Sequence, residues 1–230
     1  MIFDPLYFLF LAPALLISLV ASIKVKSNFK RYSRIGTSRG LTGAEVAAEI
    51  LRREGISDVQ IVPTRGVLSD HYNPVNKTLA LSEEVYASRS ISAVGVAAHE
   101  TGHAIQHARG YAPLWLRSIL VPTANIGSSV GYIMMIGGLI LASQGLVVLG
   151  ALLFSTVFLF QLVTLPVEFN ASSRAKAILV NQGIVNQNEK KGVDKVLNAA
   201  AMTYVAAAVS TLMTLLYFLL RSGLLGGSRD

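Results

Sequence analysis

LVVLGALLFSTVFLFQLVTL, residues 146–165, contains no charged side chain. A helix needs about 20 apolar residues to cross the hydrocarbon core of a bilayer, so this stretch predicts a transmembrane span. The tight polar break Ser143-Gln144-Gly145 precedes it, and another apolar stretch lies before that break, from about Trp115 to Ala142. The two stretches together predict a transmembrane helical hairpin.

Two further apolar stretches lie outside this hairpin, from Leu6 to Ile23 and from about Ala199 to Leu220. The first resembles a signal peptide only superficially, because Asp4 and no positive charge precedes it and no clear small-x-small cleavage motif follows. We therefore interpret it as an uncleaved anchor. The sequence predicts a mainly α membrane protein with about four transmembrane helices.

The composition supports a membrane protein. Apolar residues make up 52% of the chain and charged residues 14%, whereas about 25% of the residues of a soluble protein are charged. The net charge of +7 does not indicate a nucleic-acid-binding protein, because the basic residues are not clustered with aromatic residues on a polar face. There is no cysteine, so a metal ion must be held by His, Asp or Glu.

The positive charges predict the orientation in the membrane. Residues 24–112 carry twelve Lys and Arg and residues 166–198 carry five, whereas the hairpin tip carries none. Cytoplasmic loops are enriched in Lys and Arg, so both polar regions should face the cytoplasm of a multi-pass plasma-membrane protein. The alternative use of these charges is binding to anionic lipid or nucleic acid.

The polar region 24–112 shows signals for helices and short strands. Thr42 and Glu45 form a capping box that should begin a helix ending near Glu54. Alternation around Val59 and Ile61, and the stretch 77–81, predict two strands, of which the second could offer an edge to an extended substrate. Residues 70–74, Asp-His-Tyr-Asn-Pro, have the composition of a turn, and a longer helix should run from about Ser90 to Arg109. This region is expected to be a small α+β domain.

The last of these helices contains the motif His99-Glu100-Thr101-Gly102-His103. Two histidines four residues apart lie on one face of a helix, so both imidazoles can bind one zinc ion. Glu100 lies beside the first histidine, where its carboxylate can reach a water on the ion and take its proton as general base. The alternative is two unrelated histidines, but three of the four histidines in the chain fall within nine residues.

A catalytic zinc needs a third protein ligand and one open position. His107 is the nearest candidate, but eight residues after His99 it has turned by about 80° around the helix, which suits a supporting role better than ligation. Glu168 is the better candidate, because the predicted hairpin returns it to the same side of the membrane as His99. The alternative for Glu168 is an acid that stabilises the start of a new helix at Pro166.

Several other polar residues are candidates for contacts with substrate or transition state. His71 lies in the predicted turn, with Asp70 and Asn73, and Arg174 and Tyr204 lie beside apolar helix positions where either could stabilise an oxyanion. For each of these residues a structural or solvated role is the alternative.

These motifs resemble those of the YugP-type bacterial neutral zinc metallopeptidases, which are small membrane proteins of the gluzincin class. The resemblance lies in AHETGHAIQH at 98–107, PVEF at 166–169 and YVAAA at 204–208, and it extends from the first span to the fourth. It implies the zinc ligands His99, His103 and Glu168, with Glu100 as catalytic base, in the bacterial inner membrane.

More distantly, the chain is similar to the HtpX-type membrane peptidases and the CAAX prenyl endopeptidases, which also place a ligand Glu after a transmembrane hairpin. In those relatives an Asp that follows the ligand Glu often orients a ligand histidine. Asn170 stands near that position here, and it accepts a hydrogen bond without carrying a charge.

The sequence thus predicts a zinc metallopeptidase with a zincin-like catalytic region that cleaves peptide or membrane-protein substrates at the cytoplasmic surface of the bilayer. The alternatives are a site-2-type intramembrane protease and a non-catalytic zinc-binding membrane scaffold. The predicted segments are an N-terminal anchor (1–25), the cytoplasmic HExxH region (26–112), the hairpin (113–165), a cytoplasmic helical segment with the third ligand (166–198), and a C-terminal transmembrane helix with its tail (199–230).

Overall fold

A computed structural model describes residues 5–224, so the predictions on Asp4 and on residues 225–230 lie outside the described residues. In chain order the elements are α1 (Pro5–Tyr32), α2 (Gly43–Arg53), β1 (Gln60–Thr64), β2 (His71–Asn73), β3 (Thr78–Ser82), α3 (Glu83–Tyr86), α4 (Ile91–Ala108), α5 (Ala112–Ile126), a π-helical turn (Gly127–Gly131), α6 (Tyr132–Ile140), α7 (Gln144–Asn181) and α8 (Gln187–Arg221).

Within residues 5–224, four helical segments are long and apolar enough to cross a membrane. They are α1, the run from α5 to α6, α7 and α8. The remaining helices are short, and the three strands form one small mixed sheet. The chain is therefore a mainly α membrane protein with a small α+β region, as the sequence predicts.

The chain divides into two compact units. The first, which we call the span unit, contains the described residues 5–21, 116–165 and 203–224. The second, the polar unit, contains residues 22–115 and 166–202. Helices α1, α7 and α8 each contribute residues to both units.

In the span unit the helices approach closely where glycines lie. A Cβ at Gly131 would lie 2.8 Å from the backbone nitrogen of Phe154, so the π-helical turn packs directly against the backbone of α7. Met135, Phe154 and Phe218 are buried where α6, α7 and α8 meet. Small residues at helix contacts are typical of membrane bundles, in which close packing replaces the hydrophobic effect between helices.

Helix α7 is continuous through Pro166, so the predicted start of a new helix at Pro166 is wrong. Pro166 removes one backbone hydrogen bond, but this loss does not end the helix. The residues from Pro166 to Asn181 include no glycine that could end it. The helix ends where Gly183 adopts a φ of +65° and Ile184 donates its backbone hydrogen bond to Leu179.

The polar unit begins with the predicted capped helix. The Thr42 side chain accepts a hydrogen bond from the Glu45 backbone, and the Glu45 carboxylate accepts one from the Thr42 backbone, at the start of α2. Val46 and Ile50 on the apolar face of this helix are fully buried. The capping box therefore begins α2, as the sequence predicts.

The sheet has the order β1-β3-β2, with β1 parallel and β2 antiparallel to β3. The prediction that the strand at 77–81 offers an edge to a substrate is wrong, because β3 is the central strand. The prediction of a plain turn at 70–74 is also incomplete, since His71–Asn73 pairs with β3. Three residues of turn-type composition form a strand here because a neighbouring strand satisfies their backbone groups.

Helix α4 packs against different elements on opposite faces. Ala93 and Ala97 join Leu79 and Leu81 of β3 in one buried cluster. Val94 and Ile105 join residues of α7 and α8, including Leu179 and Val193, in another. Helix α4 thus lies between the sheet and the polar-unit halves of α7 and α8, and it is not among the four candidate spans.

Candidate metal centre

Helix α4 holds the two motif histidines one turn apart. Its first turn is capped by Ser90, whose side chain accepts a hydrogen bond from the Ala93 backbone, and Gly110 adopts a φ of +63° just after its end. The imidazole rings of His99 and His103 have centroids 4.8 Å apart. Both rings therefore lie on one face of the helix, as the four-residue spacing predicts.

Helix α7 brings Glu168 to these two rings. The Glu168 Oε2 atom lies 3.2 Å from His99 Nε2 and 3.5 Å from His103 Nε2. Ligand atoms of the three residues all lie within 4.8 Å of one another. In the described part of the chain these residues form the one cluster of three His, Asp or Glu side chains with this spacing.

The two helices come this close because Gly102 faces α7. A Cβ at this position would lie 2.9 Å from the Ala171 carbonyl oxygen and 3.2 Å from its Cα. Only glycine leaves room for such backbone contact without displacing one of the helices. Gly102 thus brings the two histidines of α4 within reach of Glu168.

Both histidines use their outer ring nitrogen for a contact with protein. His99 Nδ1 lies 3.1 Å from the Ser172 hydroxyl, and His103 Nδ1 lies 2.9 Å from Gln106 Oε1. The Nε2 atoms therefore converge on Glu168, and the Nδ1 atoms face away. Metal-binding histidines in proteins typically use their second nitrogen in this way, which fixes the ring.

The donor set fits a zinc ion. Catalytic zinc is commonly held by two His and one Glu, with distances of about 2.0–2.2 Å to N and O ligands, so tetrahedral ligand atoms are about 3.4 Å apart. The two distances from Glu168 to the imidazoles match this separation. The Glu168 side chain is 2% exposed and that of His99 12%, so the group is buried but reachable from the side of His99.

The charges in this group affect the protonation of His103. Burial lowers the pKa of His103, but the hydrogen bond to Glu168 and the negative charges of Glu100 and Glu168 outweigh burial and raise it above its ordinary value. The negative charges of Glu100 and Glu168 therefore favour positive charge at this group. A divalent ion satisfies the same preference more fully.

Glu100 lies next to the group formed by His99, His103 and Glu168. The residue is 9% exposed, and among residues 5–224 no hydrogen bond engages its carboxylate. Its charge contributes to the raised pKa of His103, so the carboxylate is within electrostatic reach of the site. The carboxylate therefore remains available to a molecule bound at the site.

Comparison with known proteins identifies the family. The sequence model of the family described as "Putative neutral zinc metallopeptidase" matches residues 7–223. The chain belongs to this family. It is 52% identical over 214 residues to "Putative membrane protease YugP" of Bacillus subtilis (strain 168), a match that covers 93% of this chain and 95% of that protein. No solved structure matches the chain.

The other histidines of this family member lie apart from the three-residue group. His107 Nδ1 lies 2.8 Å from the Tyr72 hydroxyl, and the ring belongs to a separate cleft that also contains Asp58 and Lys77. His71 is exposed, and its Nδ1 contacts the Ser69 backbone carbonyl. The structure thus brings neither His71 nor His107 to Glu168.

The remaining candidates have structural contacts. Asp70 accepts hydrogen bonds from the backbone and side chain of Ser82, and burial raises its pKa. Asn73 accepts one from the Val75 backbone. Arg174 donates from Nε to Asn170 Oδ1 at 2.7 Å. Tyr204 lies on α8 in the span unit.

Asn170 makes no hydrogen bond to a histidine within residues 5–224. Gln106 is the residue that faces His103 Nδ1, and Asn170 Oδ1 accepts a hydrogen bond from Gln106 Nε2 at 3.0 Å. Sequence reasoning missed Gln106 and Ser172. Helical spacing could have indicated both residues, because Gln106 lies one turn after His103 and Ser172 lies one turn after Glu168.

Proposed function

We propose that this family member is a zinc-dependent peptidase that hydrolyses peptide bonds in peptide or membrane-protein substrates at the cytoplasmic surface of the plasma membrane. The observation that carries the proposal is the convergence of Glu168 on His99 and His103, with the uncommitted Glu100 beside them. The family description and the name of the Bacillus subtilis relative support the same reaction class.

His99 and His103 would hold the ion through Nε2, and Glu168 would hold it through its carboxylate, which is the ligand set of the gluzincin class. When bound there, zinc supplies Lewis-acid chemistry, polarising the scissile carbonyl and making a water molecule more acidic. The contacts that the two Nδ1 atoms make with Ser172 and Gln106 would keep the Nε2 atoms turned toward the ion.

Glu100 acts as the general base in this proposal. Its carboxylate takes a proton from the attacking water and then gives that proton to the nitrogen of the departing amine. Its position next to His99, within electrostatic reach of His103, lets the same carboxylate serve both steps.

Glu100→Gln tests this role. The substitution keeps the shape of the side chain but removes the basic carboxylate, so we expect the purified protein to retain zinc while proteolysis of a denatured membrane protein falls by at least about 100-fold. Zinc content is measured by elemental analysis and proteolysis by release of new peptide termini. The matched control is Glu84→Gln, the same change at an exposed position.

Retained proteolysis in Glu100→Gln would refute the assignment of the base. Zinc binding by the wild-type protein without any turnover would instead favour the non-catalytic scaffold. Proteomic comparison of membranes that carry the wild-type and the Glu100→Gln proteins would then identify substrates.

The cytoplasmic location has its own test, because the natural chain has no cysteine. Single cysteines at exposed positions are introduced in the polar unit, Ser57→Cys, and at the hairpin tip, Ser143→Cys. In intact cells a membrane-impermeant thiol reagent should label the Ser143→Cys variant and leave the Ser57→Cys variant unlabelled until the cells are opened. The opposite labelling pattern would place the site outside the cytoplasm.

A further inference from the structure

The Gln106 side chain is a polar group beside the candidate metal centre with none of its surface exposed. We propose that Gln106 is a positioning residue that determines which ring nitrogen of His103 binds the metal, and that Asn170 and Arg174 hold Gln106 in that orientation. The inference rests on the proposed function, because it takes His103 to be a zinc ligand.

The Gln106 amide makes three hydrogen bonds. Its Nε2 lies 2.8 Å from the Val167 carbonyl oxygen and 3.0 Å from Asn170 Oδ1. Its Oε1 lies 2.9 Å from His103 Nδ1. An amide has a donor end and an acceptor end, so the direction of these bonds depends on which end faces which partner.

The Val167 carbonyl determines which end of the Gln106 amide faces α7. A backbone carbonyl oxygen only accepts hydrogen bonds, so the end of Gln106 that faces it must be the NH2 group. The opposite orientation would place two oxygens 2.8 Å apart in a fully buried position with no hydrogen between them.

Arg174 fixes the same direction independently. Its Nε only donates, and it lies 2.7 Å from the Asn170 side chain, so the Asn170 atom at that point must be the oxygen. The same oxygen faces Gln106, which must therefore donate to it through its NH2 group. Two unrelated partners on α7 thus require the same orientation of the Gln106 amide.

The consequence for His103 follows directly. Gln106 presents its oxygen to His103 Nδ1, and an amide oxygen only accepts, so Nδ1 must carry a proton. The neutral ring then has its lone pair on Nε2, the nitrogen that lies 3.5 Å from Glu168 Oε2. The ring is thereby prepared to bind a metal ion through Nε2.

His99 has no such constraint. Its Nδ1 contacts the Ser172 hydroxyl, which can donate or accept. The amide network therefore acts on His103 specifically. It also links the second ligand to the third, because Val167 and Asn170 flank Glu168 on α7.

Gln106→Leu tests the inference, since leucine has a similar size but neither accepts from His103 nor donates to α7. We expect zinc affinity, measured by competition with a chelator in the detergent-solubilised full chain, to fall about 10- to 100-fold. The matched control is Thr101→Val, a polar-to-apolar change at another fully buried position of α4.

A spectroscopic signal separates positioning from general stability. In zinc-loaded protein labelled with 15N-histidine, His103 should show a slowly exchanging proton on Nδ1 in the wild type and in Thr101→Val. The same proton should exchange rapidly or disappear in Gln106→Leu. The wild-type spectrum is informative even where Gln106→Leu does not fold.

The outcomes distinguish this inference from the proposed function. Wild-type protein that binds no zinc would overturn the proposed function and this inference with it. Zinc-loaded wild type in which His103 carries its proton on Nε2 would overturn this inference alone. So would a folded Gln106→Leu variant that matches Thr101→Val in zinc affinity and in the Nδ1 proton signal.

Discussion

Helices α4 and α7 contribute to the candidate metal centre in different ways. Helix α4 supplies His99, Glu100 and His103 within five residues, whereas α7 supplies Glu168, 69 residues after His99. The contribution of α4 can be read from local spacing alone. That of α7 depends on how two helices pack, so a local motif provides the residue types and tertiary structure completes the site.

Glu168→Ala is the strongest test of this difference, since it removes the group that α7 offers to the ion. We expect zinc affinity to fall by more than about 100-fold, beyond the range typical of residues that only orient a ligand. Chelator competition measures the effect, and Glu84→Ala at an exposed position is the control.

His107→Ala completes this test, because His107 is the alternative third ligand on α4. The ring contacts Tyr72 and not Glu168, so its removal should leave zinc affinity within about twofold of wild type. A large loss in His107→Ala together with a small loss in Glu168→Ala would mean that α4 alone holds the ion.

Gly102→Ala tests the close contact between the two helices. The new Cβ would lie 2.9 Å from the Ala171 carbonyl oxygen, so we expect the free energy of unfolding to fall by about 1–3 kcal/mol and zinc to bind more weakly. Thermal unfolding in detergent measures the first effect. Gly145→Ala, where no atom lies within 4 Å of the new Cβ, should be neutral or slightly stabilising.

The pH dependence of zinc binding is the mildest test. The pKa of His103 is raised above 6.5, and zinc needs the unprotonated ring, so zinc affinity should fall as the pH decreases through this raised pKa. In metal-free protein, the stability of the fold depends on pH in the opposite direction. The ion pair with Glu168 stabilises the fold below about pH 6.5, and this stabilisation is lost as the pH rises through the raised pKa. Thermal unfolding with and without zinc should show the two opposite trends.

The sequence predicted those features that depend on neighbouring residues. The capping box at Thr42, the helix that begins after Ser90 and the spacing of the two motif histidines are local signals, and each appears in the structure. The four apolar segments are also local, because length and composition define them. Glu168 was predicted from topology and lies beside the histidines, although its role as a ligand stays a prediction.

Features that depend on distant partners were missed or wrong. The backbone of His71–Asn73 becomes a strand only because β3 pairs with it, and the order of strands is not encoded in any one of them. Pro166 suggested a helix start, but the end of α7 is determined by Gly183. The role of Gln106 depends on Val167 and Asn170, about sixty residues away.

The Gly102 contact also changes how the metal-binding signature should be written for this chain. In the general pattern HExxH the two middle letters are free, yet here Thr101 is fully buried and position 102 meets the backbone of α7. A library that randomises the two middle codons would therefore return few active clones, most of them with glycine at the second codon. For this chain the informative signature is HExGH, and a search with it would admit fewer unrelated sequences.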